Sequence, residues 1–118
     1  MALKVYHYAK CSTCRKALAF LGKKKVELEA IDIVTHPPSR AELKRAWKQS
    51  GLPLKKMFNT SGESYKSGHF AERLATMSED QAFDALAKDG KLVKRPVVLG
   101  KDFALVGFDE AAYAKQFR

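Results

Sequence analysis

The chain opens on Leu3-Lys4-Val5-Tyr6-His7-Tyr8, where β-branched and aromatic residues alternate loosely with polar ones, and then reaches a polar turn, Ala9-Lys10-Cys11-Ser12. This pattern predicts a strand followed by a loop. From Thr13 the period changes. Cys14, Ala17, Leu18 and Leu21 recur at i, i+3, i+4 and i+7, the spacing of one helix face. Gly22 and Lys23-Lys24-Lys25 close that helix, the lysines suiting the negative end of its dipole. Val26–Val34 alternates again around Val26, Leu28, Ile31 and Ile33, which predicts a second strand. Strand, helix and strand in so short a span read as a βαβ unit with parallel strands.

His36-Pro37-Pro38 stops the second strand, and Ser39 with Glu42 three residues on forms a capping box ahead of Leu43, Ala46 and Trp47. That helix ends near Ser50-Gly51. Residues 37–90 read as helical throughout, with a short piece at Leu54–Phe58 and another over Phe70–Met77. The Asn59-Thr60-Ser61-Gly62 cluster is a turn, and Ser78 with Gln81 opens a helix through Phe83, Leu86 and Ala87 to Asp89-Gly90. Arg95-Pro96-Val97-Val98-Leu99 then predicts a strand entered at a proline. Gly100-Lys101-Asp102 is a hairpin turn, Phe103–Val106 its return strand, and Asp109–Arg118 a last helix. The order is βαβ, a helical insert, then ββα, which is one α/β domain.

Length and charge narrow the classes. With 118 residues, 46% of them hydrophobic, the chain fits a single packed domain. Ala17–Leu21 and Pro96–Leu99, its longest apolar runs, fall far short of the roughly 20 residues a membrane span needs. The N-terminus has no secretory signal pattern, so a soluble, cytoplasmic protein is expected, with no membrane partner. The net charge of +9 is spread as lysines over several elements. Such lysines read as solvated faces, no nucleic-acid motif accompanies them, and direct nucleic-acid binding is not expected.

Cysteine usage is more informative. Cys11 and Cys14 are the two cysteines, spaced Cys-x-x-Cys in the loop of the βαβ unit. A disulfide across so small a loop adds little stability by chain entropy. A structural zinc site usually takes four Cys or His ligands, and there is no second cysteine pair, so no metal is expected. What remains is a redox pair, or one reactive thiol with a neighbour that resolves it. A thiol at a helix N-terminus faces unpaired N–H groups and the positive end of the dipole, which favour the thiolate. Cys11 precedes the helix and Cys14 falls within its first turn. This order makes Cys11 the attacking thiol and Cys14 the resolving one, with Lys10, Arg15 and Lys16 adding positive charge. The plainer alternative is two inert cysteines packed under the sheet. Arg95, held extended by Pro96, is placed to hold an anion if its strand start lies beside the cysteine loop.

Cys11-Ser12-Thr13-Cys14-Arg15-Lys16, Pro37-Pro38-Ser39-Arg40-x-Glu42-Leu43, Phe58-Asn59-Thr60-Ser61-Gly62 and Lys94-Arg95-Pro96-Val97-Val98 together resemble the arsenate reductase-like family. That family includes glutathione-dependent arsenate reductases and Spx-type transcription regulators, and the resemblance runs from Lys4 to Phe117. It implies a thioredoxin/glutaredoxin-like βαβ–ββα core over residues 1–36 and 91–118, with residues 37–90 as a helical insertion. The reductases it resembles attack with a single cysteine, matching Cys11; with Cys14 as the resolving thiol read above and Arg95 these make the expected catalytic set, and Ser12, Thr13, Arg15, Asn59 and Pro96 are expected to line the substrate. Of the three arginines that hold the oxyanion in those reductases, Arg95 has a counterpart here. The other two positions fall at Asn59 and Gly107, which removes two charge-assisted clamps. No bound cofactor is implied. Glutathione is the implied co-substrate, and the glutathione/glutaredoxin or thioredoxin system the implied partner. The Spx resemblance implies instead a redox-sensing regulator that docks on RNA polymerase without turnover. Gly51 falls where that group has a glycine used in polymerase contact, although the reductases also tend to have one there.

Overall fold

A computed structural model describes residues 3–117. The βαβ unit is β1 (Leu3–His7), α1 (Ser12–Lys23) and β2 (Leu28–Asp32). Its strands are parallel, with Leu3 opposite Leu28 and His7 opposite Asp32. After the insertion come β3 (Val97–Leu99), β4 (Ala104–Val106) and α6 (Glu110–Gln116). Both β1–β3 and β3–β4 are antiparallel, and the sheet order is β2-β1-β3-β4.

The second strand is shorter than its hydrophobic alternation suggests, because backbone partners intervene at both ends. Val26 donates its N–H to Leu21 O of α1 at 3.1 Å, so it still belongs to the helix terminus. At the far end the Asp32 carboxylate accepts the N–H groups of Val34 (2.8 Å) and Thr35 (3.3 Å), an Asx-type turn that bends the chain away. These two bonds also hold the Asp32 carboxyl below its ordinary range.

Alternation along the central strands sorts the core into two faces. Leu3, Val5 and Val98 pack with Ala17 and Leu21 of α1 and Tyr113 of α6. On the opposite face Tyr6, Val97, Leu99 and Ala104 pack against the insertion, whose buried residues include Leu43, Ala46, Phe83 and Leu86. The insertion comprises α2 (Arg40–Ser50), a 3₁₀ turn (Leu54–Met57), α3 (Glu63–Ser67), α4 (Phe70–Arg73) and α5 (Glu79–Lys88). The capping box read from the sequence at Ser39/Glu42 is formed, and the helix start at Ser78/Gln81 forms a second. Each side-chain cap stabilises its helix by about 1 kcal/mol. Glu42 does more than cap. Its carboxylate also accepts Tyr6 Oη at 2.9 Å and pairs with Lys4 Nζ at 3.1 Å, joining the start of α2 to β1.

Gly51 ends α2 in the left-handed conformation, at φ 72°. A helix stop of this kind favours glycine whatever else the position does. The middle of the insertion is helical but broken. Phe70–Met77 yields a single turn, α4, beyond which Thr76 and Met77 N–H both donate to Arg73 O in a turn; at its start His69, at φ 56°, separates it from α3. Aromatic contacts fold these short pieces together: Phe58 lies 5.7 Å from Phe70 and 6.2 Å from Tyr65 between ring centroids. Gly90 follows α5 and packs directly against the backbone of Ile33 and Val34, at the end of β2. Arg45 of α2 donates to the carbonyls of Gly100 and Lys101, fastening the insertion to the β3–β4 hairpin. No helix among the described residues is long and apolar enough to cross a membrane.

Candidate active site

The loop after β1 turns tightly, Cys11 N–H donating to Tyr8 O at 3.0 Å, and delivers Cys11 to the N-cap of α1. The Cys11 Sγ accepts the backbone N–H of Cys14 at 3.3 Å, so the sulfur itself caps the helix. A thiolate there receives an otherwise unpaired donor and lies at the positive end of the dipole. Burial alone would push the Cys11 thiol up. Hydrogen bonds from Cys14 and from Arg95, together with the Arg95 charge, outweigh it, and the pKa lies below its ordinary value. Cys14 behaves oppositely. It is fully buried on the apolar face of α1, and burial first, then its bond to Cys11 and the negative charge there, push its thiol up to about 12. Both thiols are free. One environment therefore yields an accessible nucleophile and a protonated second thiol one helical turn away.

Arg95 comes from the segment before β3. Its guanidinium lies over the Tyr8 ring, 4.9 Å from the centroid, and Nη1 donates to Lys91 O at 3.3 Å. The Arg95–Pro96 peptide bond is cis. A cleft of about 360 Å³ opens beside Cys11, bordered by Ser12, Thr13, Asn59, Arg95, Lys10 and Lys94. Its remaining lining is Ser61 and Gly62, so every charged side chain on it is cationic.

Five of the eight residues singled out in the sequence thus meet around one hollow: Cys11, Ser12, Thr13, Asn59 and Arg95. Cys14 sits behind them. Arg15 does not join the lining; it is exposed on the outer side of α1, adjacent to a residue that faces the core. Pro96 is likewise absent from it. It is buried, and its carbonyl accepts Gly107 N–H at 2.9 Å. Sequence reasoning assigned neither Tyr8 nor Lys94 to the site. Lys94 had a signal, its adjacency to Arg95, whereas nothing local links Tyr8 to an arginine so far along the chain. Among the described residues no group of three or more His, Cys, Asp or Glu side chains is placed to hold a metal ion.

Arg95→Ala tests the electrostatics directly. Removing the cation raises the Cys11 pKa toward the ordinary thiol value, so the pH profile of Cys11 alkylation by iodoacetamide moves to higher pH. Alkylation at neutral pH is then slower than in the parent chain. An unmoved profile with a lower melting temperature would make Arg95 purely structural.

The sheet, the N-capping thiol and the interposed helices define a thioredoxin-like fold with an added helical layer. The chain belongs to the ArsC family, whose model matches residues 6–116. It is 44% identical to the uncharacterized protein YusI of Bacillus subtilis, over 99% of both chains. A solved ArsC-family-related protein from Bacteroides fragilis superposes with a TM-score of 0.92 at 43% identity, covering 98% of this chain and 97% of that one. An arsenate reductase from Vibrio cholerae gives 0.84 at 30% identity, over 100% and 98%. The global transcriptional regulator Spx of Streptococcus pyogenes is 27% identical, across 85% of this chain and 73% of its own.

Proposed function

We propose that this protein is a cytoplasmic thiol–disulfide oxidoreductase of the ArsC family, with Cys11 as nucleophile and Cys14 as resolving thiol. The observation that carries this reading is Cys11 at the N-cap of α1, beside a cleft whose charged lining is wholly cationic. The Cys11 thiolate attacks one sulfur of a disulfide RS–SR, forming Cys11–S–SR and expelling RS⁻. Cys14 then gives up its proton and attacks the Cys11 sulfur, closing the Cys11–Cys14 disulfide and releasing the second RS⁻. A dithiol or glutathione reductant returns both thiols. The high pKa of Cys14 keeps it protonated during the first step and leaves Cys11 as the attacking nucleophile.

Arsenate, the substrate named for several relatives, would enter the same cleft as an oxyanion. Cys11 would displace water from As(V), and a second thiol taking the Cys11 sulfur would leave the electron pair of the S–As bond on arsenic as As(III). With Asn59 and Gly107 in place of two arginines, Arg95 is left to make the bidentate contact. Glutathione, supplied with glutaredoxin, is the co-substrate that the family relationship suggests.

The test is an NADPH-consumption assay coupled through glutathione reductase to glutathione and glutaredoxin, run with hydroxyethyl disulfide, with arsenate and with neither, using Cys11→Ser as blank. Disulfide-dependent turnover that disappears in the blank supports the oxidoreductase. Added turnover with arsenate extends it to the oxyanion. A reactive Cys11 without turnover on either, and retention of RNA polymerase that Cys14→Ser abolishes, would transfer the assignment to a redox-sensing regulator like Spx.

A further inference from the structure

A second hollow adjoins the cysteine cleft. It has a volume of about 430 Å³, and Lys55, Lys56, Phe58, Thr60, Tyr65 and Lys94 border it. Lys94 borders both hollows. The backbone explains why they adjoin. Lys94 N–H donates to Met57 O and Asn59 N–H to Leu92 O, each at 2.8 Å, so the 57–59 and 92–94 segments run side by side. The Asn59-Thr60 turn then stands between the hollows, Asn59 bordering the cysteine cleft and Thr60 the second. Lys94 extends past Gly107, where an added Cβ would lie 3.3 Å from its Cε.

Charge is the informative property of the pair. Together the hollows present Lys10, Lys55, Lys56, Lys94 and Arg95, and neither has a carboxylate in its lining. The chain carries 13 Asp and Glu residues, so acidic side chains were available and do not border this surface. The geometry points to a substrate class: a low-molecular-weight disulfide whose sulfur meets Cys11 and whose far end, bearing several phosphates or carboxylates and no cation, lies across Lys94 against Lys55 and Lys56. This rests on the thiol–disulfide reading above and adds the substrate's far end to it. Glutathione fits the second hollow less well, since its ammonium would meet lysines and find no acidic partner there. Clustered charges around a concave surface raise both the local concentration of an anion and its rate of encounter.

Three disulfides serve as probes in stopped-flow measurements on the reduced protein: coenzyme A disulfide (phosphates), glutathione disulfide (carboxylates with ammoniums) and hydroxyethyl disulfide (neutral). Second-order rate constants for Cys11 oxidation should fall in that order. The Lys55→Gln/Lys56→Gln double variant should lower the ratio of the coenzyme A rate to the hydroxyethyl rate by about tenfold, since it removes two exposed cations from the path of the anion. Lys55→Arg/Lys56→Arg should retain the ratio, which separates a charge effect from a folding defect. A polycarboxylate disulfide without ammoniums distinguishes the two anion sources: equality with coenzyme A disulfide indicates charge alone, a lower rate indicates phosphate. No preference for the polyanionic disulfide over glutathione disulfide, or an unchanged ratio in the Gln variant, overturns the inference. Failure of Cys11 to react with hydroxyethyl disulfide overturns instead the thiol reading on which it rests.

Discussion

Cys11→Ser should reduce disulfide attack to background, whereas Cys14→Ser should leave the first attack intact and stop the reaction at the mixed disulfide. The asymmetry follows from where the sulfurs sit. Cys11 is partly accessible, and three contributions lower its pKa: the Cys14 N–H, the Cys14 side chain and Arg95. A serine hydroxyl at Cys11 is not ionised at neutral pH and cannot replace a thiolate nucleophile. Serine at Cys14 retains the backbone N–H and a side-chain donor toward Cys11, so the first attack keeps its activation. What it loses is the nucleophile that frees Cys11. Mass spectrometry of Cys14→Ser after exposure to a disulfide should show stoichiometric retention of one half of that disulfide on Cys11. Equal loss of the first step in both variants would contradict these roles. The pH dependence has a definite sign as well. Cys14 has a folded pKa above its unfolded value, so its contribution to stability is full below the ordinary thiol pKa. That contribution disappears as pH rises toward about 12, and alkaline unfolding of Cys14→Ser should lack it.

The second large effect is structural. Gly90→Ala should destabilise the fold by about 3 kcal/mol or more, a loss on the order of 10 °C in Tm for a domain of this size. A Cβ at Gly90 would lie 1.8 Å from Ile33 O, 2.7 Å from Ile33 C and 3.2 Å from Val34 Cα. All three are backbone atoms that cannot rotate aside, and Ile33 is fully buried with its N–H bonded to His7 O at 2.9 Å. Gly22→Ala provides the control. It is the same chemical change within α1, with nothing inside 4 Å of the added carbon, and should stabilise by up to about 1 kcal/mol. Thermal melts of the two variants should move in opposite directions.

Gly90 also shows what could not be read from the sequence. Following Asp89, it looked like a helix stop, yet its φ is not in the left-handed region, unlike that of Gly51. Its purpose lies in a contact with residues nearly sixty positions earlier, and no local pattern encodes that. Features set by neighbours in the chain were legible: the Ser39/Glu42 capping box, the helix start at Ser78, the Gly51 stop, the β3–β4 hairpin and Cys11 ahead of α1. The break at His69 was not, because the aromatic packing of Phe58, Tyr65 and Phe70 overrides a helical composition there. The site divides in the same way. Cys11, Ser12 and Thr13 are consecutive, the N-cap and first residues of α1, and were found together. Tyr8 beneath Arg95, and Lys94 between two hollows, depend on strands that pair only in the folded chain.

The helical insertion bears on any attempt to reduce this protein to a minimal redox module. Removing residues 37–90 would strip one whole side of the sheet, leaving Tyr6, Val97, Leu99 and Ala104 open to water. It would also delete Asn59, and with Met57 the carbonyl that receives Lys94 N–H, so the wall of the cysteine cleft opposite α1 would go too. Residues 1–36 and 91–118 contain both thiols but lack Asn59, Ser61 and Gly62, which line the cleft beside Cys11. The smallest unit able to present Cys11 as it stands here is therefore the chain with its helical layer intact.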